Sequence, residues 1–247
     1  MPQKRSDRSD WAELQDAGVA APRESGDREG DGGAVSLSEV AYGRILELLF
    51  ARGLPAGASV SQNDLVRLVG VPVAPLRDAL RVLQTEGLLT IHPRSGIRFV
   101  KADFEFAKNT YQFRSILERP AVRAYAEAGA LAAMEALSAR HERAIEALQR
   151  DGFSPDIVRE LVKLDEILHF EIIAALGNPL VESTYRRVHN YLQLIRLDRT
   201  LTAPLALRTL REHLDLLTAC MARDADAAEA ALQAHFGNAL QRTIGIF

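Results

Sequence analysis

The stretch from Ser61 to Val100 limits what this chain can fold into more than any other. Leu65, Leu68 and Val69 recur at helical spacing behind Ser61, whose side chain can cap a first turn, and Asp64 three residues on completes a capping box. Gly70 ends this helix, because a sharp turn between helices needs a residue that takes positive φ at no steric cost. A second helix is predicted from Val73, with Pro75 tolerated in its first turn. Its Leu76, Leu80 and Leu83 make the stripe facing the first helix, Ala79 turns inward with Leu80, and Arg77 and Arg81 share one face a turn apart. Gly87 closes it. Leu88 to Ile91 and Ile97 to Val100 are β-prone runs around a turn of His92, Pro93, Arg94, Ser95 and Gly96, with Arg98 facing out. Two short helices hinged at a glycine, then a hairpin with a basic tip, is the order of parts in a winged helix-turn-helix.

The residues before this stretch complete such a domain. Ser38 to Arg52 is predicted as a helix with Val40, Ile45, Leu48 and Leu49 inward, stopped at Gly53. Leu54-Pro55-Ala56-Gly57 then turns the chain into a short extended piece at Ser59-Val60, giving a domain of three helices and a hairpin over residues 37–101. Residues 1–36 are rich in Asp, Glu, Arg, Gly and Ser and hold too little apolar surface to repay their ordering, so a disordered tail is expected there. Between Ser38 and Lys101 eight basic residues face five acidic ones, a balance of +3 in a chain of formal net charge −3. A cationic module in an otherwise acidic chain suits contact with the phosphates of double-stranded DNA, and a winged helix used only for protein contact is the alternative. Ser61, Gln62, Arg77, His92 and Arg94 are the candidate DNA contacts.

Residues 103–247 carry no further strand signal and form the second predicted domain, all-α throughout. Helices are expected near 103–118, 120–128, 130–150, 155–175, 179–199, 203–222 and 225–244, punctuated by Pro120, Gly129, Gly152, Gly177, Pro179, Pro204 and Asp224. No apolar run approaches membrane-spanning length, and Met1 to Asp10 is too polar for a signal peptide, so a cytoplasmic chain without membrane contact is expected. The single cysteine, Cys220, excludes an internal disulfide and is read as a core residue.

Four residues of the helical part carry possible metal chemistry. Asp165 and His169 are four apart on one predicted helix and so project from one face, while His213 and His235 sit on the last two helices. A carboxylate with three imidazoles suits Zn, Ni, Mn or Fe better than Ca or Mg. By spacing alone a surface or hydrogen-bonded role for each histidine stands beside this reading. The apolar neighbours Leu168, Phe170, Ile172 and Ile173 favour a buried His169. His141, inside the charged run SARHER, is expected in solvent, and His189 is left out of the set.

These residues together resemble a GntR-superfamily transcription regulator of the FadR subfamily, a winged helix-turn-helix followed by an FCD effector-binding domain. The likeness spans about residues 38 to 245. In the first domain it rests on Leu54-Pro55-Ala56-Gly57, Gly70-Val71, Pro75, Arg77-Asp78-Ala79-Leu80, Glu86-Gly87-Leu88 and Pro93-Arg94-Ser95-Gly96. In the second it rests on Arg114 with Glu118, on Asp165 and His169 followed by Gly177-Asn178-Pro179, and on His213 and His235. The resemblance implies a homodimer that binds an operator, and one divalent transition metal per chain, Zn or Ni before Mn or Fe, held by Asp165, His169, His213 and His235. The chain departs from the family at the start of the second helix of the motif. Where Ser-Arg-Thr is usual it has Pro72-Val73-Ala74, and Asn63 replaces a common arginine on the preceding helix. An arginine at that first turn could grip guanine O6 and N7, so its absence points to a different operator.

The mechanism so implied is allosteric. Three neutral imidazoles and one carboxylate leave a divalent ion cationic, so a small carboxylate could bind it, with Arg114 and Arg196 as candidate clamps and Arg114 preferred. Effector binding would bias the placement of two DNA-binding domains in a dimer. The rival readings are a metal-dependent enzyme, since an open Asp/His site can also activate water, and a metal-sensing regulator using the same site. Against the enzyme stands the lack of any general base paired with the site in the sequence.

Overall fold

A computed structural model of the chain describes residues 35–54, 57, 59–93, 95–197 and 201–243, in two compact units divided in sequence between Phe99 and Val100. The first holds α1 (Leu37–Phe50), β1 (Ser59–Val60), α2 (Gln62–Val69), α3 (Val73–Thr85), β2 (Leu89–His92) and β3 (Gly96–Phe99). α1 begins in a full capping box: the Ser36 hydroxyl accepts from the Glu39 amide at 3.2 Å, and the Glu39 carboxylate accepts from the Ser36 amide at 2.8 Å. Expectations for the tail before residue 35, and for Pro55, Ala56 and Arg94, fall outside the described residues.

The hairpin is joined by a third strand. β3 lies between β1 and β2, antiparallel to both, with Val60 opposite Ile97 and His92 opposite Gly96. The extended piece at Ser59-Val60 thus pairs with the wing. Leu76, Ala79, Leu80 and Leu83 of α3 are buried with Leu65 and Val69 of α2 and Ile45 and Leu49 of α1. Leu68, expected to join them, is 40% exposed, because an eight-residue helix meets its neighbours through the single row of Leu65 and Val69. In α1 the inward row is Ala41, Ile45 and Leu49, and Val40 and Leu48 are only half-buried. Gly70 caps α2 in the left-handed region at φ 68°, its amide on the Val66 carbonyl at 2.9 Å.

The second unit comprises α4 (Phe104–Ala128), α5 (Leu131–Asp151), α6 (Pro155–Ala174), α7 (Pro179–Leu197), α8 (Ala203–Met221) and α9 (Ala225–Thr243). The helix break expected at Pro120 does not occur, and α4 runs straight through it. Pro120 and Ile116, whose carbonyl the proline leaves without its helical donor, are both on the exposed side, where water can serve that carbonyl. The flanking buried face, Glu118, Ala121, Val122 and Tyr125, carries the packing that holds the helix together across the proline. All six helices contribute to one core, which includes Tyr111, Met134, Leu168, Tyr185, Leu217 and Leu232. Cys220 lies in it, and burial pushes its thiol up to about 12. Among the described residues no helix is long and apolar enough to cross a membrane.

Gly96 is the tightest point of the wing. Its φ is 95°, and a Cβ there would stand 2.7 Å from the Val60 carbonyl oxygen. Gly96→Ala is therefore expected to lower stability by about 1–3 kcal/mol, from backbone strain and a clash with the β1 strand. Denaturant titration checks it, and an unchanged midpoint would contradict this view of the wing.

Candidate functional site

Asp165 and His169 point from one face of α6, and the core brings His213 of α8 and His235 of α9 to meet them. One ligand-type atom from each of the four lies within 4.8 Å of all the others. The histidines are 1–2% exposed and Asp165 is partly buried. Asp165 Oδ1 is 3.9 Å from His169 Nε2 and 3.7 Å from His213 Nε2, too far for hydrogen bonds. Both of these nitrogens are buried and have no hydrogen-bond partner. Buried polar atoms are nearly always paired, so two orphans facing one carboxylate oxygen ask for something between them. A cation answers that need: the spacing matches two ligands of one ion, whose bonds are each about 2 Å. The set of nitrogen and oxygen donors suits a transition metal.

The other side of each of these residues is held. His169 Nδ1 donates to Glu118 Oε2 at 2.6 Å, and His235 Nδ1 donates to Glu212 Oε2 at 2.9 Å. His213 Nδ1 lies 3.2 Å from Nε2 of His141, whose own Nδ1 lies 2.8 Å from the Leu137 carbonyl. Arginines anchor the carboxylates in turn. Arg114 Nε bonds Glu118 Oε1 at 2.6 Å, Arg242 makes two bonds to Glu212 at 2.7 and 2.8 Å, and Arg196 Nη2 bonds Asp165 Oδ2, which frees Oδ1 for the cluster.

Electrostatics follow from these contacts. Burial lowers His213 well below the usual imidazole value, and neighbouring His235 adds to this; burial likewise lowers His235 and His141. These rings are thus neutral near pH 7, the form that offers a lone pair. Burial works to raise Asp165, but Arg196, His169 and His213 outweigh it and hold the carboxyl well below its normal range. Against the same penalty Arg114 and His169 bring Glu118 to about 2.

His141 is the clear correction. It was expected in solvent and is fully buried. The signal was present: Met134, Leu137, Ser138, His141, Ala144 and Leu148 form the inward stripe of α5, and the charges of SARHER fall on its flanks. Glu118 and Glu212 gain their roles here; Glu118 is legible as the i+4 partner of Arg114, whereas nothing in the spacing of Glu212 marks it. Of the candidate clamps, Arg114 has Nε and Nη2 committed to Glu118, with Tyr185 also within 3.4 Å of Nη2. Arg196 keeps a buried Nη1 without a partner.

In the first unit Ser61 caps α2, its hydroxyl accepting from the Asp64 amide at 3.1 Å and donating to the Asp64 carboxylate at 2.5 Å. Gln62 Oε1 lies 3.4 Å from Nε of exposed Arg77, and His92 is exposed at the end of β2. Val73, at 40% exposure, and Ala74 present an apolar first turn on α3. Ser61 therefore has its hydroxyl engaged, while Arg77 and His92 face solvent.

The buried pair predicts an asymmetry. Glu118→Ala leaves the Arg114 guanidinium buried without its anion and is expected to cost about 3–5 kcal/mol in chelator-treated protein. Asp151→Ala, which breaks a fully exposed pair with Arg150, should leave the denaturation midpoint unchanged. Equal effects in the two variants would refute this account of the core.

Comparison with known proteins agrees with both units. The model of the family "Bacterial regulatory proteins, gntR family" matches residues 37–99, and that of the FCD domain matches residues 109–238. The HTH-type transcriptional regulator YdhC of Bacillus subtilis is 22% identical over 200 residues, covering 80% of this chain and 86% of that one. The Nta operon transcriptional regulator of Aminobacter aminovorans is 28% identical over 182 residues, covering 72% and 81%. Among solved structures, E. coli McbR/YncC superposes with a TM-score of 0.68 over 86% of this chain and 99% of that one, at 16% identity, a likeness of fold.

Proposed function

Since the chain belongs to the gntR family of bacterial regulatory proteins and carries an FCD domain, we propose that it is a homodimeric regulator of the FadR subfamily whose hold on a DNA operator is set by a small carboxylate at a metal centre. The observation that carries the metal and effector reading is the pair of orphaned nitrogens, His169 Nε2 and His213 Nε2, facing Asp165 Oδ1. Asp165, His169, His213 and His235 would hold one divalent ion, Zn or Ni before Mn or Fe. Such an ion supplies Lewis acidity and positive charge for an anionic ligand. Arg196 offers its unpartnered Nη1 to that anion, and Arg114 supports the same site through Glu118.

On the DNA side, Arg77 and His92 are the solvent-facing candidates, Gln62 stands beside Arg77, and Arg94 belongs to the same wing turn in sequence. Val73 and Ala74 favour apolar contact, such as with a thymine methyl group, where the family usually places an arginine. The effector and the operator are then linked: whatever factor the acid takes from DNA affinity, DNA takes from acid affinity.

Full-length protein should carry about one transition metal per chain by elemental analysis. His213→Ala and His235→Ala should each lose it, and a chelator should lower the melting temperature of the unaltered chain. Metal retained by both variants would remove the four-ligand assignment. In anisotropy titrations with genomic fragments, affinity should fall steeply with salt, and Arg77→Ala should weaken binding and reduce the salt slope by about one. Binding no tighter to any fragment than to random DNA would count against the operator reading. Hydroxy acids should stabilise the metal-loaded chain in a thermal-shift screen and fail to do so for Arg196→Ala; stabilisation that survives both that change and chelator would place the acid elsewhere.

A further inference from the structure

Two of the three imidazoles in the cluster are oriented by carboxylates, and the third is oriented by another imidazole. Resting on the metal reading above, we propose that His141 is a positioning residue: it dictates which nitrogen of His213 carries the proton, and so presents His213 Nε2 to the metal. A carbonyl oxygen can only accept, so His141 Nδ1, 2.8 Å from the Leu137 oxygen, carries a proton and donates it. A neutral ring with its proton on Nδ1 has only a lone pair at Nε2. That atom, 3.2 Å from His213 Nδ1, must accept, and His213 Nδ1 must be the donor. His213 Nε2 is left with its lone pair exposed to the cluster, where it has no other partner.

The opposite arrangement would need a proton on His141 Nε2. Either the Leu137 bond is then lost, or a fully buried imidazole becomes a cation next to Arg140 on its own helix and His213 across from it. Glu118 and Glu212 impose the same direction on His169 and His235, since ionised carboxylates also only accept. His141 does the equivalent task without charge.

The test uses the full-length chain, Co2+ as probe, competition with a chromophoric chelator for affinity, and the visible absorption of bound Co2+ for ligand geometry. His141→Phe fills the space but offers no acceptor; about a 10–100-fold loss of affinity is expected, with a changed Co2+ spectrum. His141→Gln, whose amide oxygen can stand near the position of Nε2, should restore the spectrum and most of the affinity. Asn at the same position is too short to reach His213, so His141→Asn should behave like His141→Phe; this pair decides the question if the phenylalanine variant does not fold. Wild-type affinity in both His141→Phe and His141→Asn overturns the proposal, as does a glutamine variant as weak as the asparagine one. If the unaltered chain takes up no Co2+, the metal centre itself falls and the role of His141 with it.

Discussion

The core of the helical unit is organised by an exchange that water would otherwise perform: four imidazoles, one carboxylate and a guanidinium are buried, and nearly every polar atom they own must be met by another protein group. Arg114 meets Glu118, Glu118 meets His169, Arg242 meets Glu212, Glu212 meets His235, and Leu137 meets His141, which meets His213. These chains of contact run inward from different helices, and those through His169 and His213 end on orphaned nitrogens. A network so arranged is costly when incomplete, because removing any one member strands a buried partner. A metal would complete it.

That construction also suits control. The four clustered residues come from α6, α8 and α9, the groups behind them from α4, α5 and α8, and Arg196 from α7, so a ligand held there would be linked to every helix of the bundle. A charge delivered there would change the electrostatic balance of all of them at once. The winged unit is built on different terms, with an apolar core and an exposed, mostly cationic surface in which Arg77 and Arg98 remain in solvent. The helical unit thus buries a charged cluster in its core, whereas the core of the winged unit is apolar and its arginines stand at the surface.

Much of this was legible in the sequence, and the reason is periodicity. Leu76, Ala79, Leu80 and Leu83 announced the inward face of α3, Gly70 the turn before it, and the spacing of Asp165 and His169 their common face. Local rules decided these features because each depends on residues within a turn or two of one another. Family likeness supplied what spacing could not, namely that His213 and His235 belong with Asp165 and His169.

Only the tertiary structure decided the rest. Pro120 ought to end a helix, yet packing on the buried side of α4 carries the helix across it while the affected carbonyl stays on the solvent side. His141 stands among charged neighbours in sequence, but the inward stripe of α5 takes it into the core, where a partner 72 residues away gives it a purpose. Arg196 and Arg114 look alike along the chain; their difference lies in what each meets, a carboxylate that uses both faces of one fork and a carboxylate that leaves Nη1 of the other unpaired. Sequence determined the helices, their faces and the types of ligand, because those follow from local geometry. Which nitrogen points where, and which arginine keeps an unpaired nitrogen, depended on long-range packing, since hydrogen bonds between distant helices exist only once the core has closed.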